Sequence, residues 1–506
     1  MLGLSPSPTY AASNKDTLKT PTEETGSDFK GFHHFFEKMG NVESSCYENH
    51  LSRFLPEEKT DIDGVFDTLS GSDRSGGVKI GKATRKAVTL AMLKAHVQEA
   101  LPEQMTSRLY NGMKSIDLTG KSPESSEQIV KEQFIIFMSA LLKGNVEEKS
   151  SIIMRMISST EGPVKGKQIQ EFTEDLITSV VHVLSYRNLL KGWNLEETQD
   201  PASGVKALVS QLLSELKLED GKKLVGPPLM DAMCDQSTIE NWVFQVPQIS
   251  TFLSVIVRQG LLVLHSLPDH AEDLVNLVPE CKGIKGRRFV SFLDIPSIIY
   301  INSQLPSELQ LKWRLLFSSR VHGESFSQLC GQIVNKGPCI LVLKDSDGYI
   351  FGGFASQSWD AKPQFQGDNR CFLFSVSPSL AVYTDTGYND HYMYLNHGQQ
   401  TMPNGLGMGG QHDYFGLWID SNYGNGHSRA KPSCTTYNSP QLSANENFTI
   451  DAMEVWAVGD LPKSAVIKGK KSILDTDPEA HALLEMSGKS RQSDGLREQT
   501  EDDGDN

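Results

Sequence analysis

The sequence predicts an α+β protein: a helical N-terminal half, then an antiparallel β-sandwich with flanking helices, then a short C-terminal helix. Two observations carry this. Up to about residue 280, apolar residues recur at helical spacing. From residue 338 the period changes to short β-type runs separated by Gly, Asp, Asn and Pro, a spacing that suits a sandwich.

The elements follow in order. Residues 1–50 are rich in Ser, Thr, Pro, Gly and Lys and predict a disordered extension. Residues 51–150 predict a helical domain. Ile62, Val65, Phe66 and Leu69 form an apolar stripe behind the acidic first turn of Glu57 and Glu58, and "VKEQFIIFMSALLKGN" ends at Gly144 as a C-cap. Residues 151–285 continue the helical pattern. The most apolar stretch, "ISTFLSVIVRQGLLVLHSL" at 249–267, carries Arg258 and Gln259 at its centre. An Arg there costs about 2.5–3.5 kcal/mol on membrane insertion, so a buried helix or helix–turn–helix is the better reading. "CILVLKD", "YIFGGFA", "CFLFSVS", "LAVYTD", "HYMYLN", "YFGLWID" and "MEVWAV" are the β-type runs, the first two joined by a tight "KDSDGY" hairpin in which Gly348 takes φ > 0.

Near the C-terminus, residues 472–488 predict a docking helix. Asp477 suits the N-cap, Pro478 the first turn and Gly488 the C-terminal cap, and Ala480, Leu483 and Leu484 make its apolar stripe. So short a helix is marginal alone, so it either folds back on its own chain or docks in a partner's groove. Residues 489–506 predict a disordered acidic tail.

Composition narrows the function. The chain has 506 residues, room for about three domains, with 38 % hydrophobic and 22 % charged residues and a net charge of −15. No basic face is evident, which argues against nucleic acid as a partner. Seven cysteines are scattered without a C-x-x-C pair, the pattern of reduced thiols in a cytosolic compartment. The N-terminus is not a good signal peptide.

Four motifs bear on function. The N-terminal helices have the cadence of paired EF-hands, but no calcium loop. "GSDRSGGVKIGK" at 71–82 puts Gly76 at position 6 and Val78 at position 8, yet holds one carboxylate, Asp73, and ends in Lys82; the segment at 117–132 is too long. "MGNVESSC" fits N-myristoylation at Gly40, provided translation starts at Met39, with Cys46 as a site for a second acyl chain. "PNGLGMGGQHDYFGLWID" at 403–420 lacks the Lys of a P-loop and leads into a β-type run; its glycines at 405, 407, 409 and 410 are expected to shape a sharp bend, with Phe415, Leu417 and Ile419 on one face and Trp418 on the other. A catalytic reading would combine His412 and Asp413 with Ser428 beside His427. No G-x-S-x-G elbow surrounds Ser428, and the histidines at 391, 397, 412 and 427 share no tight metal spacing, so no catalytic, metal or cofactor site is assigned.

The C-terminal block resembles the TLDc-domain family. The matching residues are Leu305-Pro306, "WRLLFSSRVHGESFSQL" (313–329), "GPCILVLKDSDGYIFGGFAS" (337–356), "FQGDNRCFLFSV" (365–376), "GLGMGGQHDYFGLWID" (405–420) and "MEVWAV" (453–458), and place the domain at 291–460. From Met39 to the end, the chain is similar to the mTOR-associated branch of that family, including the degenerate EF-hand-like region and the "SILDTDPEA" tail. The resemblance implies a β-sandwich without established catalytic residues. It also implies contact with the vacuolar proton-pumping ATPase, recruitment of the mTOR kinase to the cytosolic face of the lysosomal membrane, and growth signalling. The rivals are an oxidation-resistance protein and an ATPase regulator without a kinase role. No residue here suggests peroxide chemistry, since Cys371 lies in an apolar strand pattern.

Overall fold

The computed structural model describes residues 47–71, 86–118, 127–160, 162–193, 201–217, 230–264, 277–284, 289–399 and 402–460. After a helical segment at 47–52, helix α1 (Pro56–Leu69) starts where the sequence reading places it. Pro56 occupies the first turn, Glu58 accepts the Leu55 N–H at 2.7 Å, and Ile62, Phe66 and Leu69 are buried. Further helices described in this half are α2 (Leu90–Val97), α3 (Glu103–Lys114), α4 (Lys131–Lys143), α5 (Val146–Ile157), α6 (Gly166–Tyr186), α7 (Pro201–Leu213), α8 (Gln236–Gln245) and α9 (Gln248–Val255). Gly144 does cap α4, but with extended backbone at φ −72° rather than a left-handed turn, because the next helix begins at once with Asn145 as its N-cap.

Two-residue strands tie these helices together. β1 (Ala87–Val88) pairs antiparallel with β2 (Ile129–Val130), and β3 (Val164–Lys165) with β4 (Met233–Cys234). A helix follows each strand directly or one residue later, so the paired helix–strand–helix cadence expected of 51–150 occurs twice and extends to α8. Val78, at position 8 of the degenerate loop, lies outside the described residues. The pairing strand is Ala87–Val88, farther from the end of α1 than a twelve-residue calcium loop allows. Among the described residues no group of three or more His, Cys, Asp or Glu is placed to hold a metal ion.

The apolar stretch at 249–267 packs inside this half. α9 continues into a π-helical turn (Ile256–Gly260), and Arg258, 5 % exposed, donates from Nε to Ser254 Oγ at 3.0 Å. Among the described residues no helix is long and apolar enough to cross a membrane.

The C-terminal half is built on β5 (Glu280–Lys282), β6 (Lys312–Ser318), β7 (Cys339–Asp345), β8 (Ile350–Ala355), β9 (Lys362–Gln366), β10 (Phe372–Ser377), β11 (Ala381–Thr384), β12 (Met393–Asn396), β13 (Gly405–Gln411), β14 (Tyr414–Asp420), β15 (Asn425–His427) and β16 (Asn447–Val458). The long strand β16 belongs to two sheets. Its C-terminal part lies between β6 and β7 in the order β5-β6-β16-β7-β8-β10-β11, and its N-terminal part starts the order β16-β15-β14-β13-β12-β9. Every pairing among these strands is antiparallel except β5 with β6. Leu341, Leu343 and Leu373 of the first sheet share one buried core with Leu406, Met408 and Leu417 of the second, and helix α10 (Ile295–Ser303) and helix α12 (Phe326–Ile333), preceded by the short α11 (Ser319–His322), flank the sheets. At the expected β7–β8 hairpin, Gly348 has φ +83° and Asp345 Oδ1 accepts the N–H groups of Asp347 and Tyr349.

A tryptophan cluster joins the two halves. Trp193, just after α6, lies 4.8 Å from Trp456 and 5.7 Å from Trp313 between ring centroids, and Phe289 adds to Trp456 at 5.8 Å. Each indole N–H finds an acceptor: Pro279 O for Trp193, Asn302 Oδ1 for Trp313 and Glu454 Oε2 for Trp456. Glu454 is itself buried. It also accepts from Ser291 Oγ at 2.7 Å and from the Phe292 N–H at 3.1 Å, stitching the approach to α10 onto β16. Burial pushes its carboxyl up to about 7, against the pull of those donors and of Arg320.

Candidate functional site

The glycine-rich stretch singled out in the sequence is a β-hairpin, and its glycines are not the bend. They lie in β13, paired with β14 from Gly405↔Asp420 to Gln411↔Tyr414, and the turn is His412-Asp413, with Asp413 at φ +68°. Two of them explain the local composition. A Cβ on Gly407 would stand 2.7 Å from the Phe415 ring and 2.9 Å from Trp418, so glycine there lets both rings lie on the strand. Gly409, at φ +71°, would meet Tyr437 and Cys434 on the opposite face.

That left-handed residue breaks the in–out alternation and corrects the expected faces. Leu406, Met408, Leu417 and Ile419 point into the core, and so does the position of Gly416, whose Cβ would meet Leu373 and Cys434. Phe415 is therefore on the outer face with Trp418, not with Leu417 and Ile419. The two rings stack at 4.6 Å and 22°, and Tyr394 and Phe365 complete the patch. His427, paired across from Trp418 on β15, lies against it at 5.9 Å and 23°.

Beside this patch opens a cleft of about 560 Å³. Phe415, Trp418 and Phe448 form its apolar lining; Asp413, Asp420, His427, Arg429 and Asn447 supply its polar groups. Arg429 is tied back, donating from Nη1 to Asp413 O at 2.9 Å and from Nη2 to Asn447 Oδ1 at 3.0 Å. Asp420 Oδ1 accepts the Trp418 indole N–H at 2.7 Å. Burial, followed by the charge of Arg429, pulls His427 down to about 4, so its ring is neutral at pH 7, and its Nε2 is enclosed without a hydrogen-bond partner among the described residues.

The residues of the catalytic alternative do not assemble. Ser428 follows His427 on the chain but faces the other way. It is fully buried, donates from Oγ to Gly416 O at 2.7 Å and accepts the Leu442 N–H at 2.9 Å. The hydroxyl is thus used in holding the sandwich and has no base beside it. His412 packs edge-on to Tyr394 at 5.2 Å, and its Nδ1 is likewise enclosed without a partner among the described residues. His391 spends its Nδ1 on Gly410 O, and its ring stacks on Phe365 at 4.0 Å. The thiols are equally unsuited to reaction. Burial raises Cys371, whose Sγ accepts the Ser356 N–H, and pushes Cys339 and Cys281 up to about 12, away from the reactive thiolate.

The lipidation residues Gly40 and Cys46 and the docking stripe Ala480, Leu483 and Leu484 lie outside the described residues. Phe448, Arg429 and Asn447 are not singled out by the sequence. The signal for the aromatic patch was there: small residues at alternate positions of one hairpin arm opposite Phe and Trp on the other.

The comparisons with known proteins agree with this architecture. The TLDc domain family matches residues 290–459. The chain is 75 % identical over 467 residues to the MTOR-associated protein MEAK7 of Gallus gallus and 59 % identical over 465 residues to that of Homo sapiens, covering 92 % of this chain and the whole of each relative. The chain belongs to the family of mTOR-associated TLDc proteins. A more distant relative, Nuclear receptor coactivator 7 of Homo sapiens, is 33 % identical over 169 residues, 33 % of this chain and 17 % of that protein. What is shared across that distance is thus about the length of the sandwich, and the helical half belongs to the nearer relatives.

Proposed function

We propose that this protein is a non-catalytic adaptor that associates with the mTOR kinase, brings it to the cytosolic face of the lysosomal membrane and promotes its growth signalling, in contact with the vacuolar proton-pumping ATPase. The observation that carries the kinase association is the 59–75 % identity, over their entire length, to relatives named for it. The adaptor reading is supported by the site itself. Its histidines are packed against rings, its one nearby serine is consumed in the core, and its cysteines are held as thiols, while a cleft lined by polar groups remains open. Membrane attachment through Gly40 and Cys46, and ATPase contact through Ala480, Leu483 and Leu484, complete the proposal.

Co-precipitation of mTOR with the full chain, and mTOR-dependent phosphorylation with and without it, test the kinase association. Recovery of the kinase and a fall in phosphorylation on depletion are expected; absence of both would defeat the reading. An ATPase regulator without a kinase role would instead retain the pump while mTOR recovery fails. Deleting residues 474–488 is expected to weaken co-purification of the ATPase, and intact mass is expected to show a species beginning at Gly40 with an added acyl chain.

A further inference from the structure

We infer that residues 256–264 form a strained clasp that opens ahead of the rest of the helical half, with Asp61 as its catch. Local sequence and backbone disagree here. After the π-helical turn Ile256–Gly260, Leu262 and Leu264 have φ of +60° and +56°. Left-handed backbone crowds a Cβ against the following carbonyl, so it favours Gly and, after it, Asn and Asp; a leucine there is an outlier. The run Leu261-Leu262-Val263-Leu264 contains none of those residues, so nothing local selects the bend. Strain of this kind persists only where the surroundings impose it.

Side chains of separate helices supply the constraint. Asp61 of α1 accepts the Leu264 N–H at Oδ2, 2.7 Å away. His96 of α2 places Nε2 at 3.2 Å from Leu261 O, and Arg187, at the end of α6, donates from Nε to Gln259 O at 3.1 Å. Leu101 packs beside Gly260, where an added Cβ would stand 2.5 Å from it. The segment thus pins α1, α2 and α6 together. Asp61 matters most, because it is a charged acceptor and grips the segment at its second strained leucine. Leu261, Val263 and Leu264 are buried and Leu262 is half-buried, so closure hides apolar surface while the two left-handed leucines oppose it. Loss of the Asp61 contact tips that balance: the segment opens, α1 and α2 part from it, and an apolar strip is uncovered. The inference goes beyond the adaptor reading and takes nothing from it.

The test is amide hydrogen exchange, read by mass spectrometry on the purified full chain and corrected for intrinsic rates. Asp61→Ala is expected to speed exchange over residues 256–264 and over α2 on the order of tenfold, with the sandwich peptides unchanged. Asp61→Asn, which keeps an oxygen for the Leu264 N–H, is expected to fall between Asp61→Ala and the parent, and serves where Asp61→Ala does not fold. A second pair of variants separates stored strain from packing. Leu262→Gly and Leu262→Ala delete the same contacts beyond Cβ, but only glycine adopts φ +60° freely. Leu262→Gly is expected to exchange several-fold more slowly than Leu262→Ala over 256–264, and to restore most of the protection lost in Asp61→Ala. Parental exchange in Asp61→Ala, acceleration spread evenly over the whole helical half, or Leu262→Gly exchanging as fast as Leu262→Ala would each overturn the inference.

Discussion

The sandwich carries two aromatic clusters of similar composition and similar burial but different surroundings. Trp193, Trp313, Trp456 and Phe289 are covered on every side where the helical half meets the sheets, and each indole N–H has an acceptor. Tyr394, Phe415 and Trp418, on the outer face of the second sheet beside a cleft, are buried just as deeply, and only Phe365 among them is partly exposed. Burial also displaces a titratable group beside each cluster in opposite directions: Glu454 upward to about 7, His427 downward to about 4. The difference teaches that ring packing alone does not distinguish a seam from a binding surface. The hydrogen-bonding capacity left over does: the indoles of the seam are all paired, whereas His427 Nε2 beside the outer cluster is enclosed without a partner among the described residues.

The largest effects are expected from breaking either cluster. Trp456→Ala opens a cavity among three rings and removes a donor from Glu454, and is expected to cost about 3–5 kcal/mol in denaturant unfolding. Trp418→Ala removes a ring buried among Phe415, Tyr394 and His427 and is expected to cost a similar amount, about 3–5 kcal/mol. A loss below about 1 kcal/mol would show that the outer cluster is not packed as described.

The pH response sharpens the comparison. The carboxyl of Glu454 is held above its ordinary 4.5, so the stability it contributes is present below about pH 4.5 and is lost as pH rises through about 7. With a shift of this size in a fully buried group, that loss is on the order of 3 kcal/mol. Glu454→Gln is expected to remove that slope. His427 is held below its ordinary 6.5, so its contribution is present above that value and is lost as pH falls toward about 4, a smaller effect because the ring is part-exposed. In the parent protein the two slopes oppose each other; unfolding curves of Glu454→Gln and His427→Gln across pH 4–8 are expected to tilt in opposite senses. Parallel curves would show that neither group is displaced as described.

Two smaller changes, one on each face of the β13–β14 hairpin, separate packing from chemistry. Gly407→Ala pushes a methyl into Phe415 and Trp418, and is expected to cost about 1–3 kcal/mol and to deform the cleft. Ser428→Ala leaves the Leu442 N–H without its acceptor and is expected to cost about 1–2 kcal/mol while leaving binding per folded molecule intact. A catalytic serine would show the reverse, unchanged stability with lost function.

Much of this was legible in the sequence, for reasons that can be located. The first helix was readable because Pro56, Glu57 and Glu58 mark its start and its apolar spacing is regular. The β7–β8 hairpin was readable from Asp345 and Gly348, whose turn chemistry is local. The faces of β14 were not, because the alternation breaks beside two left-handed glycines, Gly409 and Gly410, on the neighbouring strand, and periodicity within β14 carries no record of it. Nor was the pairing of β3 with β4, whose partners are about 70 residues apart, a separation at which two-residue strands leave no pattern. The cleft needed Phe448 and Arg429 brought to one hairpin by tertiary pairing, which neither residue announces in sequence.

The most direct test measures unfolding free energy across pH 4–8 in the parent, Glu454→Gln and His427→Gln proteins. The expected result is that Glu454→Gln removes the loss of stability as pH rises toward 7 and keeps the loss on acidification, while His427→Gln does the reverse. Curves that run parallel to the parent in both variants would contradict the account, since neither cluster would then hold a group displaced by its burial.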